Sequence, residues 1–257
     1  MRRRLIVGNW KMNGTVPESL KIVTGLEHHI KTPPDVDLAV APPFTALYSV
    51  SVALQESSIL LAAQNCHWEE KGALTGEVSP AFLADLGCRY VIVGHSERRH
   101  LFGETDEMIN RKVHSTLRND LLPIFCVGET EQERERGTAW QILDAQVKRG
   151  LAGLHMKELD HLVVAYEPVW AIGTGKTASA AQISEVHAFI RNLLEKLFDA
   201  PSASTVKILY GGSVKAENAA GLAAEKSIDG CLVGGASLEP AEFAAIVRAM
   251  ERRPSES

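Results

Sequence analysis

Eight times along the 257-residue sequence, a short apolar run gives way to a stretch patterned as a helix. The runs fall at residues 5–7, 37–41, 59–64, 90–93, 123–127, 161–166, 205–210 and 228–233. Val91-Ile92-Val93 and Leu162-Val163-Val164 are continuously apolar, not alternating, which suits strands buried on both faces of a parallel sheet. Helices announce their own starts between them. Ser79-Pro80 places a capping hydroxyl before a proline at the first helical position. Thr130 and Glu133 have capping-box spacing. Val186, Ile190, Leu193, Leu194 and Leu197 recur at helical spacing. Repeated strand-then-helix units allow a closed barrel or an open doubly wound sheet. The helix after the first run lacks a G-x-G-x-x-G start, and no linker or composition shift divides the chain. The expectation is an α/β protein: a single (β/α)8 barrel domain over residues 1–257, with flexible ends near 1–4 and 251–257.

Bulk properties narrow the function. A formal charge of −5 argues against a dedicated nucleic-acid binder, which carries a basic face. Cys66, Cys88, Cys126 and Cys231 form no C-x-x-C pair and read as reduced core thiols. Arg2-Arg3-Arg4 imitates the start of a signal peptide, but Leu5-Ile6-Val7 is far too short an apolar segment to follow it. No run approaches the ~18 apolar residues of a membrane span. A cytoplasmic protein with no membrane partner is expected.

In a barrel the active site lies at the C-terminal strand ends, and the unusual residues collect there. Lys11 follows the first run, His95 the fourth, and Glu167 comes straight out of the sixth. A lone lysine in such a place is commonly just solvated, and a lone histidine commonly structural. A carboxylate directly after a buried strand is a costlier placement. Around one mouth, a cation, an imidazole and a carboxylate supply what proton abstraction beside a carbonyl requires. Three glycine-rich segments share that face: Gly173-Thr174-Gly175, Gly211-Gly212-Ser213 and Gly234-Gly235-Ala236. Their backbone N–H groups can approach an anion without a side chain intervening, and the last two strand ends are where barrels of this kind grip phosphate. Other matches fail. Gly175-Lys176-Thr177 ends like a Walker loop, but Trp170 stands where its first glycine belongs. Gly94-His95-Ser96 opens like a nucleophile elbow, but Arg98 replaces the second glycine. The nine histidines include no H-E-x-x-H, so no metal is expected.

The stretches GNWKMNG, APPFTAL, GALTGEVSP, VIVGHSERR, FCVGET, YEPVWAIGTGKTA, ILYGGSVK and LVGGASL run in order along nearly the whole chain. Together they resemble the triosephosphate isomerase family. The resemblance implies interconversion of dihydroxyacetone phosphate and glyceraldehyde 3-phosphate through an enediolate, without cofactor. It implies Glu167 as the base and a neutral His95 as hydrogen-bond donor to the substrate oxygens. The helix start at Ser96-Glu97 would disfavour imidazolium. Lys11 would stabilise the developing negative charge, with Asn9 as a further polar contact. Gly173, Ser213, Gly234 and Gly235 would offer N–H groups to the phosphate, under a lid at residues 168–178 carrying Trp170 and Ile172. Thr75, in the loop at residues 72–78, would reach a second copy and brace its Lys11, making a homodimer. Cys126 and Glu104 match the family but read as core. Departures are modest: Ala216 stands where many relatives carry proline, Ser179-Ala180 replaces a common threonine–proline, and Cys231 replaces a smaller or aliphatic residue. Two rival functions are another phosphate-gripping barrel isomerase acting on a larger sugar, and a barrel retained as a scaffold without catalysis.

Overall fold

A computed structural model describes residues 2–30, 35–173 and 176–251. Eight parallel strands, paired in sequence order, close on themselves. They are β1 (Leu5–Asn9), β2 (Asp37–Ala41), β3 (Leu60–Ala63), β4 (Cys88–Val93), β5 (Leu122–Val127), β6 (Val163–Tyr166), β7 (Lys207–Tyr210) and β8 (Gly230–Val233). β1 lies between β2 and β8, with Leu5 opposite Asp37 on one side and Gly230 on the other. The (β/α)8 barrel expected from the run-and-helix pattern is the observed architecture.

The apolar runs are continuous because alternate residues serve two different cores. Leu5, Val7, Tyr90, Ile92, Ile124, Cys126, Ala165 and Leu209 fill the barrel interior. Their neighbours Ile6, Val91, Val93, Phe125, Val127, Val164 and Ile208 point outward into a second core shared with the helices. Neither face meets water, so neither selects polar residues. The helix starts also follow the expected chemistry. Ser79 Oγ accepts from the Ala81 N–H at 3.0 Å, and Thr130 Oγ1 accepts from the Glu133 N–H at 3.3 Å while Glu133 returns a bond to the Thr130 N–H at 2.7 Å. The helix Ala180–Leu197 buries Val186, Ile190, Leu193 and Leu194, while Leu197 on the same stripe is exposed in its last turn.

The strand ends differ slightly from the sequence reading. Residues 161 and 162 precede β6 because His161 closes a 3-10 turn, Met156–His161. Arg2, Arg3 and Arg4, placed by the sequence at a flexible start, each have partners: Arg2 pairs with Asp229 at 2.9 Å, Arg3 with Asp37 at 2.9 Å, and Arg4 donates to the Met250 carbonyl at 2.7 Å. Met1 and the tail from residue 252 lie outside the described residues.

Candidate active site

Glu167 leaves β6 and turns its carboxylate into the barrel mouth, 1 % exposed. Its place is set by two glycines. A Cβ at Gly128 would collide with the Glu167 carbonyl, and a Cβ at Gly211 would come within 2.9 Å of Glu167 Cγ. Both neighbouring strands therefore approach Glu167 more closely than any other residue type permits. Oε2 accepts the Ser96 N–H at 2.8 Å. Oε1 lies 2.9 Å from His95 Nε2, but the ring N–H is out of line with it, and the buried oxygen has no well-directed donor.

His95 is the residue that caps the helix Ser96–Leu101, and its Nδ1 accepts the Glu97 N–H at 3.3 Å. Burial alone lowers the imidazole's pKa, but Glu167 beside it outweighs burial and the net direction is upward. The hydrogen bond points the other way. A nitrogen that accepts an N–H carries no proton, so this contact suits the neutral ring with its hydrogen on Nε2. The helix start acts on His95 through this one amide. Burial raises the Glu167 carboxyl, but the net direction is downward; a protonated His95 would be the largest opposing cause, and with the ring neutral the Ser96 N–H and Lys11 remain.

Lys11 sits just past β1 at a φ of 52°, a left-handed conformation that costs a non-glycine residue about 1 kcal/mol or more. Its backbone is pinned there: its N–H donates to Asn9 Oδ1 at 3.0 Å, and Gln64 Nε2 donates to its carbonyl at 2.7 Å. Nζ reaches Glu97 Oε1 at 2.6 Å. Across the mouth, Gly173, Ser213, Gly234 and Gly235 line the same cavity of about 260 Å³ as Asn9, Lys11, His95 and Glu167. The short 3-10 helix Gly235–Leu238 begins on this rim, anchored by Ser237 Oγ donating to the Gly234 carbonyl at 2.7 Å. A helix start among glycines is a natural place for an anion.

The structure thus brings together every expected site residue except Thr75, which lies exposed in its loop away from this cavity. Of the lid, Thr174 and Gly175 lie outside the described residues. At the lid's start, Trp170 Nε1 donates to Glu129 Oε1 at 2.9 Å, and the same oxygen accepts from Tyr166 Oη at 3.1 Å and Arg134 at 3.0 Å. Glu129 is completely buried. The sequence reading did not single it out, although it follows β5 by two residues as abruptly as Glu167 follows β6. Gly128 and Gln64 were also missed, and Gly211 was read only as part of an anion-binding segment, because their contribution here is space or a backbone contact. Cys126 lies in the barrel interior, its thiol pushed well up by burial and then by the nearby Glu167. Glu104 pairs with Arg98 and with buried Lys112, outside the cavity.

A family model described as triosephosphate isomerase matches residues 4–250. The triosephosphate isomerase of Geotalea uraniireducens (strain Rf4) is 52 % identical over 251 residues, covering 98 % of this chain and all of that protein. That of Pelobacter propionicus is 54 % identical over 247 residues, covering 96 % of this chain and 98 % of the relative. That of Carboxydothermus hydrogenoformans is 54 % identical over 248 residues, covering 96 % and 99 %.

Proposed function

Because the chain belongs to the triosephosphate isomerase family, we propose that the cavity at its barrel mouth performs that family's reaction with Glu167 as the base. The enzyme interconverts dihydroxyacetone phosphate and glyceraldehyde 3-phosphate through an enediolate. The observation that carries the residue assignment is the Glu167 carboxylate, buried, with one oxygen lacking a directed donor beside a neutral His95.

Glu167 takes a proton from the carbon beside the carbonyl. The electron pair of that C–H bond becomes the enediolate double bond, and the carbonyl oxygen takes up the negative charge. His95, with its hydrogen on Nε2, donates to the oxygens on which that charge develops. Lys11 supplies the cation for the same charge, and Asn9 a polar contact. The hydroxyl proton passes from its oxygen to the former carbonyl oxygen by way of His95 Nε2, and Glu167 returns its proton to the neighbouring carbon, which completes the exchange of aldehyde and ketone. The phosphate is held by N–H groups at Gly173, Ser213, Gly234 and Gly235. A coupled assay with glyceraldehyde 3-phosphate and with a five-carbon sugar phosphate tests the substrate class. Turnover of the triose alone is expected, and comparable turnover of the pentose would overturn it. In D2O, the triose product should carry deuterium at the carbon beside its carbonyl.

The proposal extends to assembly as a single-domain chain in a homodimer. A second cavity, of about 220 Å³, shares Asn9, Lys11 and His95 with the first and is also lined by Met12, Gln64, Glu97 and Phe102. Met12 is 95 % exposed, Tyr48 68 % and Phe102 67 %. Large apolar side chains this exposed suit a protein partner. Thr75, on a loop whose base is fixed by the His67 N–H donating to the Val78 carbonyl at 2.8 Å, would fill that cavity from a second copy. A small-molecule enzyme of this kind, with net charge −5 and no helix among the described residues long and apolar enough to cross a membrane, fits a cytoplasmic location without nucleic-acid or membrane partners.

A further inference from the structure

The phosphate grip proposed above consists of groups without formal charge, although the ligand is a dianion and the chain carries −5. Lys11 serves the reacting end and is already paired with Glu97 at 2.6 Å. Lys176, on the lid, is paired with Glu131. One further cation lines the cavity: Lys215, two residues beyond Ser213. Its side chain is exposed, and among the described residues it has no ion-pair partner. Its backbone is nonetheless held on both sides. The Lys215 N–H donates to Asn218 Oδ1 at 2.9 Å, Asn218 Nδ2 donates to the Ser213 carbonyl at 3.0 Å, and the Ala216 N–H donates to Glu242 Oε1 at 2.9 Å. Glu242, a nearby carboxylate, is thereby engaged at the helix start. A fixed anchor with a long free stem puts a cation at the rim without filling the cavity.

We infer that Lys215 is a binding residue for the phosphate end of the substrate, raising affinity and encounter rate for the dianion without taking part in proton transfer. The inference rests on the phosphate grip at Ser213, Gly234 and Gly235. It assigns the rim a charge-selective role: a phosphorylated triose is drawn in and an uncharged triose is not.

The test compares wild type, Lys215→Gln and Lys215→Arg in three measurements: isomerisation kinetics against ionic strength, competitive inhibition by inorganic phosphate, and turnover of unphosphorylated glyceraldehyde. In the glutamine variant, KM and the phosphate inhibition constant should rise about three- to tenfold, the range expected of one exposed charge facing a dianion. Its kcat should stay within about twofold of wild type, the salt dependence of kcat/KM should flatten, and glyceraldehyde turnover should not change. Arginine should restore wild-type values. A glutamine variant with unaltered phosphate inhibition and salt dependence overturns the inference, as does a fall in kcat or in glyceraldehyde turnover. If phosphate fails to inhibit even the wild type, the grip itself is wrong and the inference falls with it.

Discussion

Glu167 Oε2 accepts a hydrogen bond from the backbone N–H of Ser96 at 2.8 Å, while its other oxygen faces His95 with no directed donor. One carboxylate oxygen is thus tethered and the other left free. The tether comes from the same short helix whose Glu97 N–H meets His95 Nδ1, so Glu167 and His95 are positioned by one element.

Glu167→Gln should fold as wild type, because an amide fits the same space and the Ser96 N–H still finds an acceptor. It should lose kcat by on the order of 10³-fold, since the amide cannot take the substrate proton. Steady-state kinetics on variant with a wild-type melting curve checks this, and more than a tenth of wild-type kcat would remove Glu167 from the role of base.

Thr75→Arg should weaken self-association and lower activity together, because a long charged side chain cannot enter the second cavity beside Lys11. Sedimentation and activity followed over the same dilution series is the measurement. An active monomer at micromolar concentration contradicts the dimer proposal.

Deleting residues 172–175 should leave the barrel folded, since loops of this kind contribute little to either core. Isomerisation should drop steeply, and elimination of phosphate from the exposed enediolate should take a larger share of each turnover. NMR of the products measures that partition. Slower turnover with no greater eliminated fraction would mean that the segment does not shield the intermediate.

His187 packs edge-on against Tyr166 at 6.0 Å, with Nδ1 against the Ser227 carbonyl at 2.9 Å and Nε2 buried without a partner. Burial lowers its pKa from 6.5 to about 4. The unfolded chain therefore binds a proton between about pH 6.5 and 4 that the folded chain refuses. The contribution of this group is intact above that window and is lost as pH falls through it, on the order of 3 kcal/mol in all. His187→Gln should flatten the decline in denaturant midpoint between pH 7 and pH 5. An unchanged decline assigns the acid sensitivity to other groups.

Ala216→Pro should destabilise the protein by about 1 kcal/mol despite the usual suitability of proline at a helix start, because the hydrogen bond to Glu242 Oε1 needs the Ala216 N–H. Chemical denaturation gives the difference. A more stable variant would show that the stiffer unfolded chain outweighs the lost bond.

The barrel was legible because burial on two faces leaves a sequence signature, and Lys11, His95 and Glu167 because each ends a run of apolar residues with chemistry. Gly128 and Gly211 were not legible in that sense. Their role is the absence of a side chain beside Glu167, and a glycine at a strand end looks the same whether it turns the chain or makes room. Gln64 acts through the carbonyls of Lys11 and Ala41, contacts that depend on how the loop after β1 folds back. The pairing of Lys11 with Glu97 joins positions 86 residues apart, a distance across which spacing carries no information.

The seam between β1 and β8 also sets an order of events in time. Lys11 and Gly234 come from opposite ends of the chain, yet a Cβ on Gly234 would lie 3.5 Å from Lys11 Cε. On a translating ribosome β1 is made long before β8, and this flank of the cavity cannot form until β8 has emerged and zipped onto β1. The nascent chain therefore lacks this wall of the cavity until the ring is closed.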